Sequence, residues 1–161
     1  ELNKYIDFTL LDPRATIFDL EKLCNIAYKN QYYSVCVNPT AVSFVKGYIL
    51  KNLSNGIKIC SVVGFPLGAS VIDVKCAEAK QAINDGADEI DYVINVGELK
   101  QGNLEYIEEE MKAIVLTCKV HNVLSKVIFE NCYLTENEIV KLCKFAVKYK
   151  IDYVKNIYAK L

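Results

Sequence analysis

The residue best suited to do chemistry in this sequence is a lysine at the end of an apolar strand, Lys155 in Ile151-Asp152-Tyr153-Val154-Lys155. Taking an ammonium out of water is costly. A lysine kept in such a place is a candidate for losing its proton and attacking a carbonyl as a neutral amine. A second charged strand echoes the first. Gly86–Asp91 and Lys150–Lys155 each follow an amphipathic helix, put an acid at the start of the strand, and carry a charged side chain three residues later. In this register Asp91 and Lys155 stand at equivalent heights on two strands. A generic helix-to-strand turn would give the same echo, and both readings stay open.

Other residue types exclude chemistry. His121 is the single histidine, in a polar turn just past a helix. It reads as a charge at a helix C-terminus, and a Ser-His-Asp triad has no other histidine to use. Seven cysteines, an odd number with no C-x-x-C pair, lie mostly beside Val, Ile or Leu. They read as reduced thiols acting as small core hydrophobes, with no metal site. Reduced thiols imply a reducing compartment, hence the cytoplasm. The net charge of −1, with lysines scattered along helices, excludes a nucleic-acid surface. No apolar run approaches the ~20 residues of a membrane helix. Charges throughout Glu1–Leu11 do not fit a signal peptide. The length of 161 residues suggests one domain with a real core.

The elements that must position the lysine alternate along the chain. Strands are expected at Lys4–Leu11, Tyr33–Val37, Ile57–Val63, Glu89–Asn95, Leu124–Glu130 and Ile151–Lys155. Helices are expected at Thr16–Asn30, Pro39–Leu53, Ser70–Asp85, Asn103–Lys119 and Thr135–Tyr149. Thr16 is a plausible N-cap, Thr135 and Glu138 form a capping box, and Pro39 opens its helix. Repeated strand–helix units predict a parallel sheet with right-handed crossovers. No G-x-G-x-x-G follows a strand, so a dinucleotide fold has no support. The strands carry polar residues on one face: Asp7 and Thr9, Asp91 and Asn95, Lys126 and Glu130. An open sheet covered on both faces prefers apolar residues throughout. A TIM-type (β/α)8 barrel with a polar interior near its C-terminal rim explains them better.

Six segments in order, each at a strand, resemble the deoxyribose-phosphate aldolases. They are Ile6–Leu11 with Pro13 and Thr16; Val35-Cys36-Val37-Asn38-Pro39; Val62–Gly68; Gly86–Asp91 with Val93-Ile94-Asn95; Lys126–Glu130; and Asp152-Tyr153-Val154-Lys155. The resemblance implies a (β/α)8 barrel and a class I aldolase that needs no cofactor and no metal. It implies a small phosphorylated sugar as substrate. The reaction is reversible cleavage of 2-deoxyribose 5-phosphate to glyceraldehyde 3-phosphate and acetaldehyde, in deoxyribonucleotide catabolism. It assigns Lys155 as the Schiff-base lysine and Asp91 as the residue of proton transfer. Asp7, Thr9, Cys36, Asn95 and Lys126 match positions around the pocket. The amine must lose its proton near neutral pH, and burial beside a second positive charge, with Lys126 one candidate, would lower its pKa.

The sequence departs from that family after Lys155, where only Asn156–Leu161 follow. The family continues with two more strands. One bears a second lysine in a Gly-x-Lys-x-x-Gly-Gly pattern, which Lys160 does not match. Those strands and their loops also supply most of the phosphate site. Phe8 stands where a histidine is common, and Asp12 where a lysine is common. The expectation is a single domain over 1–161, incomplete at its C-terminus and lacking the last two βα units. Its first and sixth strands would be open edges, which favours a homodimer or another homo-oligomer. The alternative function is an inactive truncated relative acting as a structural or interaction protein.

Overall fold

The polar-in, apolar-out alternation of the strands is resolved by one sheet. The computed structural model describes residues 2–54 and 56–156. Strands β1 (Asp7–Leu10), β2 (Ser34–Val37), β3 (Lys58–Val63), β4 (Glu89–Val93), β5 (Leu124–Ile128) and β6 (Tyr153–Lys155) pair in sequence order. Every pairing is parallel. Helices α1 (Ile17–Lys29), α2 (Val42–Asn52), α3 (Ile72–Asn84), α4 (Val96–Lys100), α5 (Leu104–Val120) and α6 (Glu136–Tyr149) lie on the connections. Six consecutive βα strands form an open wall of TIM type. Among the described residues β1 and β6 are its edges, so a closed eight-unit barrel is not seen.

The two faces of the wall have different chemistry. Val35, Val37, Ile59, Val63, Ile90, Tyr92, Ile94 and Val127 face the helices and join Leu20, Leu23, Val45, Ile49, Ile107, Met111, Ile114 and Leu142 in the main core. Each such aliphatic side chain contributes about 1.5–3 kcal/mol by leaving water. On the other face Cys36, Cys60 and Val62 form a small separate cluster. Side chains alternate between faces with period two, so Asp7, Cys36, Cys60, Glu89, Asp91, Lys126 and Lys155 share this inner face.

Capping agrees with the sequence reading at two helices. The Asp19 carboxylate accepts from Thr16 N at 2.7 Å. Thr135 Oγ1 accepts from Glu138 N at 3.3 Å while Glu138 accepts from Thr135 N at 2.7 Å. His121 is the C-cap of α5, where a helix-end charge was expected. Several boundaries differ: β5 ends at Ile128 rather than Glu130 and β6 begins at Tyr153 rather than Ile151, and three others follow from local structure. The expected strand from Lys4 starts only at Asp7, because Leu2–Tyr5 form a 3-10 turn closed by the Ile6 N to Asn3 O bond of 3.3 Å. Pro39–Ala41 is also a 3-10 turn, and the α-helical part begins at Val42. The strand expected to reach Asn95 ends at Val93, and the short helix α4 follows, which the sequence reading lacked.

The cysteines follow the expectation in part. All seven are free thiols; Cys24, Cys36, Cys60 and Cys118 are buried, Cys76 is half-buried, and Cys132 and Cys143 are exposed. Burial pushes Cys24 up to about 11 and Cys118 up to about 12, so neither is a reactive thiolate at neutral pH. Among the described residues no helix is long and apolar enough to cross a membrane.

Candidate active site

Lys155 ends β6 with its side chain on the inner face. Its Nζ lies 2.5 Å from Asp91 Oδ2 and 3.2 Å from Asp7 Oδ2. Strand register explains how these groups meet. Asp91 pairs with Lys126, Lys126 with Tyr153, and Ile128 with Lys155. Lys155 is therefore two residues further along the sheet than Asp91, not level with it as the sequence echo suggested. The long lysine stem reaches back across one pleat to the carboxylate.

Lys126 stands at the centre of the same cluster. Its Nζ lies 2.8 Å from Asp7 Oδ2, 2.7 Å from Glu89 Oε2 and 3.3 Å from Asp91 Oδ1. Only the Asp7 contact of these three is aligned as a hydrogen bond; Glu89 and Asp91 Oδ1 have no aligned donor among the described residues. Asp7 Oδ1 accepts from Ser34 Oγ at 2.7 Å. Two ammoniums thus share three carboxylates on the inner face. The Lys126 and Asp91 side chains are 6% and 0% exposed, so water screens these contacts little. The wall opens beside the cluster into a cavity of about 470 Å³, lined by Asp7, Tyr33, Glu89, Lys126, Tyr153 and Lys155 among others.

The electrostatics follow from burial against opposite charge. Burial pulls the Lys155 amine down, but Asp91 and the Cys36 and Cys60 thiols outweigh it, and its pKa stands above the ordinary lysine value. Lys126 shifts the same way, with Cys60 and Asp91 the leading partners that overcome burial. Burial raises Asp7, but hydrogen bonds from Lys126 and Ser34 prevail and lower it. Glu89 is raised by burial despite Lys126. The expectation that burial and Lys126 would depress the Lys155 amine is not met by this set of residues. Lys126 spends its charge on three carboxylates, and one of them, Asp91, also holds Lys155 charged.

The remaining sequence candidates divide. Cys36 is buried on the inner face, beside Cys60 on the next strand. Thr9 follows Asp7 on the same face of β1, is exposed, and donates to Asp7 O at 2.9 Å. Asn95 does not join the lysine cluster. It sits two residues past β4 and caps α4, its Oδ1 accepting from Glu98 N at 3.2 Å. Lys160 lies outside the described residues. Glu89, Ser34 and Cys60 are in or against the cluster and were missed; their signal was strand parity with Asp91, Asp7 and Cys36.

One donor set could hold a soft cation. The Cys36 and Cys60 sulfurs and an Asp91 carboxylate oxygen lie within 4.8 Å of one another. Lys126 Nζ is 3.8 Å from Cys60 Sγ and 3.3 Å from Asp91 Oδ1, so an ammonium already supplies the positive charge there. The arrangement suits an amine held among carboxylates in a shielded cavity, open on one side to a small carbonyl compound.

Comparison with known proteins gives the same direction. Residues 3–160 match the family model described as DeoC/LacD family aldolase. Over 156 residues the chain is 51% identical to a deoxyribose-phosphate aldolase of Treponema denticola, covering 96% of this chain and 70% of that one. It is 52% identical to another from Clostridium botulinum strain Okra, covering 96% and 71%. Among solved structures, the deoxyribose phosphate aldolase of Aeropyrum pernix, described as having a unique tetrameric structure, superposes with a TM-score of 0.88 at 33% identity. That superposition covers 99% of this chain and 66% of that one, and another solved chain is covered for 59% of its length.

Proposed function

The chain belongs to the DeoC/LacD family of aldolases, and we propose that it is a class I, Schiff-base lyase that reversibly cleaves 2-deoxy-D-ribose 5-phosphate to D-glyceraldehyde 3-phosphate and acetaldehyde. The observation that carries this reading is the 2.5 Å approach of Lys155 Nζ to a fully buried Asp91 carboxylate on the inner face of a parallel β wall.

In the cleavage direction the Lys155 amine adds to the C1 aldehyde carbon. The carbinolamine loses its hydroxyl as water, taking up a proton, and becomes an iminium. A base removes the proton of the C3 hydroxyl, the C2–C3 bond breaks, and its electron pair passes into the iminium to give an enamine. Glyceraldehyde 3-phosphate departs. Protonation at C2 and hydrolysis then release acetaldehyde and the free amine.

Asp91 is suited to these proton transfers because it is buried, touches the amine, and keeps Oδ1 without an aligned donor. The iminium is a cation, so Asp7 and Asp91 stabilise it as they stabilise the ammonium. Lys126 fixes Asp7 and balances the carboxylates. Thr9, exposed on the same face as Asp7, is placed at the substrate; Cys36, fully buried beside Cys60, backs the cluster; and Asn95 supports the rim through its cap on α4. The substrate is a small phosphorylated sugar, and a homo-oligomer is the expected assembly. A reducing, cytoplasmic setting is part of the proposal and rests on seven free cysteines.

Borohydride reduction in the presence of acetaldehyde tests the chemistry. An ethyl group should be fixed on Lys155, located by peptide mass spectrometry, and Lys155→Leu should abolish both label and turnover. A folded protein that turns over substrate with no label at Lys155 removes the mechanism. A folded protein that neither labels nor turns over points instead to a structural or interaction role.

A further inference from the structure

A second lysine–carboxylate pair lies in the helical layer, away from the cavity. Lys75 on α3 and Glu110 on α5 are in contact at 2.5 Å between Nζ and Oε1, with both side chains 0% exposed. A buried pair of this kind contributes little net stability, because desolvation of two charges offsets their attraction. Its contacts suggest another use. Lys75 Nζ donates to Val93 O at 2.7 Å, and Glu110 Oε2 accepts from Asn95 N at 3.1 Å. The pair therefore grips the backbone on both sides of Ile94, where β4 leaves the sheet. Val93 is two residues from Asp91 on the same strand.

The neighbouring loop is held to the same spot. Gly64, at φ +63, packs on the Lys75 stem, where an added Cβ would come within 3.0 Å of Cε. Gly68, at φ +65, lies so close to Ile94 O that a Cβ there would approach to 1.9 Å. The Gly64 amide donates to Glu78 Oε2 at 2.7 Å, one turn beyond Lys75 on α3. The end of β3, the end of β4 and helices α3 and α5 thus converge on one ion pair behind the carboxylate that touches Lys155.

Resting on the Schiff-base reading above, we propose that Lys75 and Glu110 are positioning residues that fix the end of β4, and through it the Asp91 carboxylate, against the Lys155 amine. They touch no reacting atom and act through the Val93 and Asn95 backbone. A displacement of the carboxylate by a fraction of a hydrogen-bond length is enough to slow proton transfer while leaving substrate capture in place.

The test compares the wild type with Lys75→Met/Glu110→Leu, which removes both charges and keeps the volume. The double variant should melt within a few degrees of the wild type, because apolar replacement of a buried pair is often neutral. Its kcat for deoxyribose 5-phosphate cleavage should fall at least tenfold with KM within twofold, and iminium formation should become rate-limiting in single-turnover borohydride trapping. A folded double variant with wild-type kcat overturns the proposal, as does one in which KM alone rises. Should the double variant not fold, Lys75→Met/Glu110→Gln decides. It removes both charges but leaves an amide oxygen for the Asn95 N–H, and it is expected to cost three- to tenfold in kcat at unchanged KM through loss of the Lys75 hold on Val93 O; wild-type kcat overturns the proposal. If the wild-type protein itself shows no label at Lys155, it is the functional reading that fails.

Discussion

Replacing Lys126 by methionine is the sharpest probe of the charged inner face. The ammonium sits 2.7, 2.8 and 3.3 Å from Glu89, Asp7 and Asp91, with a side chain only 6% exposed. At an effective dielectric constant of ~20, each contact at these distances carries about 5–6 kcal/mol of attraction. Repulsion among the three carboxylates and the cost of desolvating the ammonium cancel most of that sum. Removing one partner of a buried charged set then costs about 3–5 kcal/mol, because the remaining charges stay buried without compensation. The deficit must also depend on pH. Glu89 is already raised by burial, and without Lys126 it rises further. The folded variant then holds a proton that the unfolded chain releases near the ordinary glutamate value. The penalty is therefore full above the raised folded pKa and shrinks as pH falls toward the unfolded one. Each unit of raised pKa relieves about 1.4 kcal/mol. Urea unfolding at pH 8 and pH 5, analysed by linear extrapolation, reads both quantities. The expected result is a loss of about 3–5 kcal/mol at pH 8 that is at least ~1 kcal/mol smaller at pH 5. Lys126→Met/Glu89→Leu should recover part of it. A loss below ~1 kcal/mol, or one equal at both pH values, would refute this account of the cluster.

Other perturbations test separate parts of the structure. Asp91→Asn removes the leading attraction that raises the Lys155 amine; kcat should fall about 10²–10⁴-fold, and the amine should titrate at lower pH, read by the pH dependence of trapping. Asp7 is lowered in the folded state, so its contribution is present above the unfolded aspartate value and is lost as pH falls below it. Asp7→Asn should accordingly flatten the acid limb of a stability–pH curve below about pH 4. Leu142→Ala, in a fully buried position, should cost about 2–5 kcal/mol by denaturant melt. Cys132 and Cys143 should react first with a disulfide reagent under native conditions, and Cys24 and Cys118 only after unfolding.

Strand parity made much of this site legible before any coordinates. Asp7, Asp91, Lys126 and Lys155 are charged residues at alternating positions of otherwise apolar strands, and the inner face of the sheet brings all four together. The same rule applied to Glu89 would have found the third carboxylate, but an acid at the first position of a strand also reads as a turn residue. Register was not legible. Sequence shows which face a side chain takes, whereas the height of one strand against the next is set by helix and loop lengths between them, so Asp91 and Lys155 were placed level when they differ by two residues. Asn95 lies away from the lysine cluster for a related reason. Its side chain had a stronger local use, capping α4, than any position on a strand would give it. Lys75 and Glu110 gave no signal, since a lysine and a glutamate on amphipathic helices read as solvent-facing until packing shows them enclosed.

The direction of the lysine shift bears on the proposed Schiff-base chemistry. A Schiff-base lysine has to give up its proton, yet every carboxylate near Lys155 holds the proton on. The same carboxylates favour the later cation, because an iminium carries the charge that the ammonium carried and sits in the same place. In the proposed reaction, this face of the β wall therefore supplies stabilisation of the intermediate rather than activation of the free amine. Asp91 can serve both ends of that process. At 2.5 Å it is close enough to accept the proton as the carbonyl carbon approaches, and its buried carboxyl can return it when water leaves the carbinolamine. Reaction rate should then track the concentration of neutral amine, rising with pH until the Lys155 amine is free of its proton. In Lys126→Met, with one fewer cation to share Asp91, that rise should move to higher pH. A rise that moved to lower pH would mean that Lys126 holds Lys155 protonated through the shared carboxylates, the reverse of the coupling these distances imply.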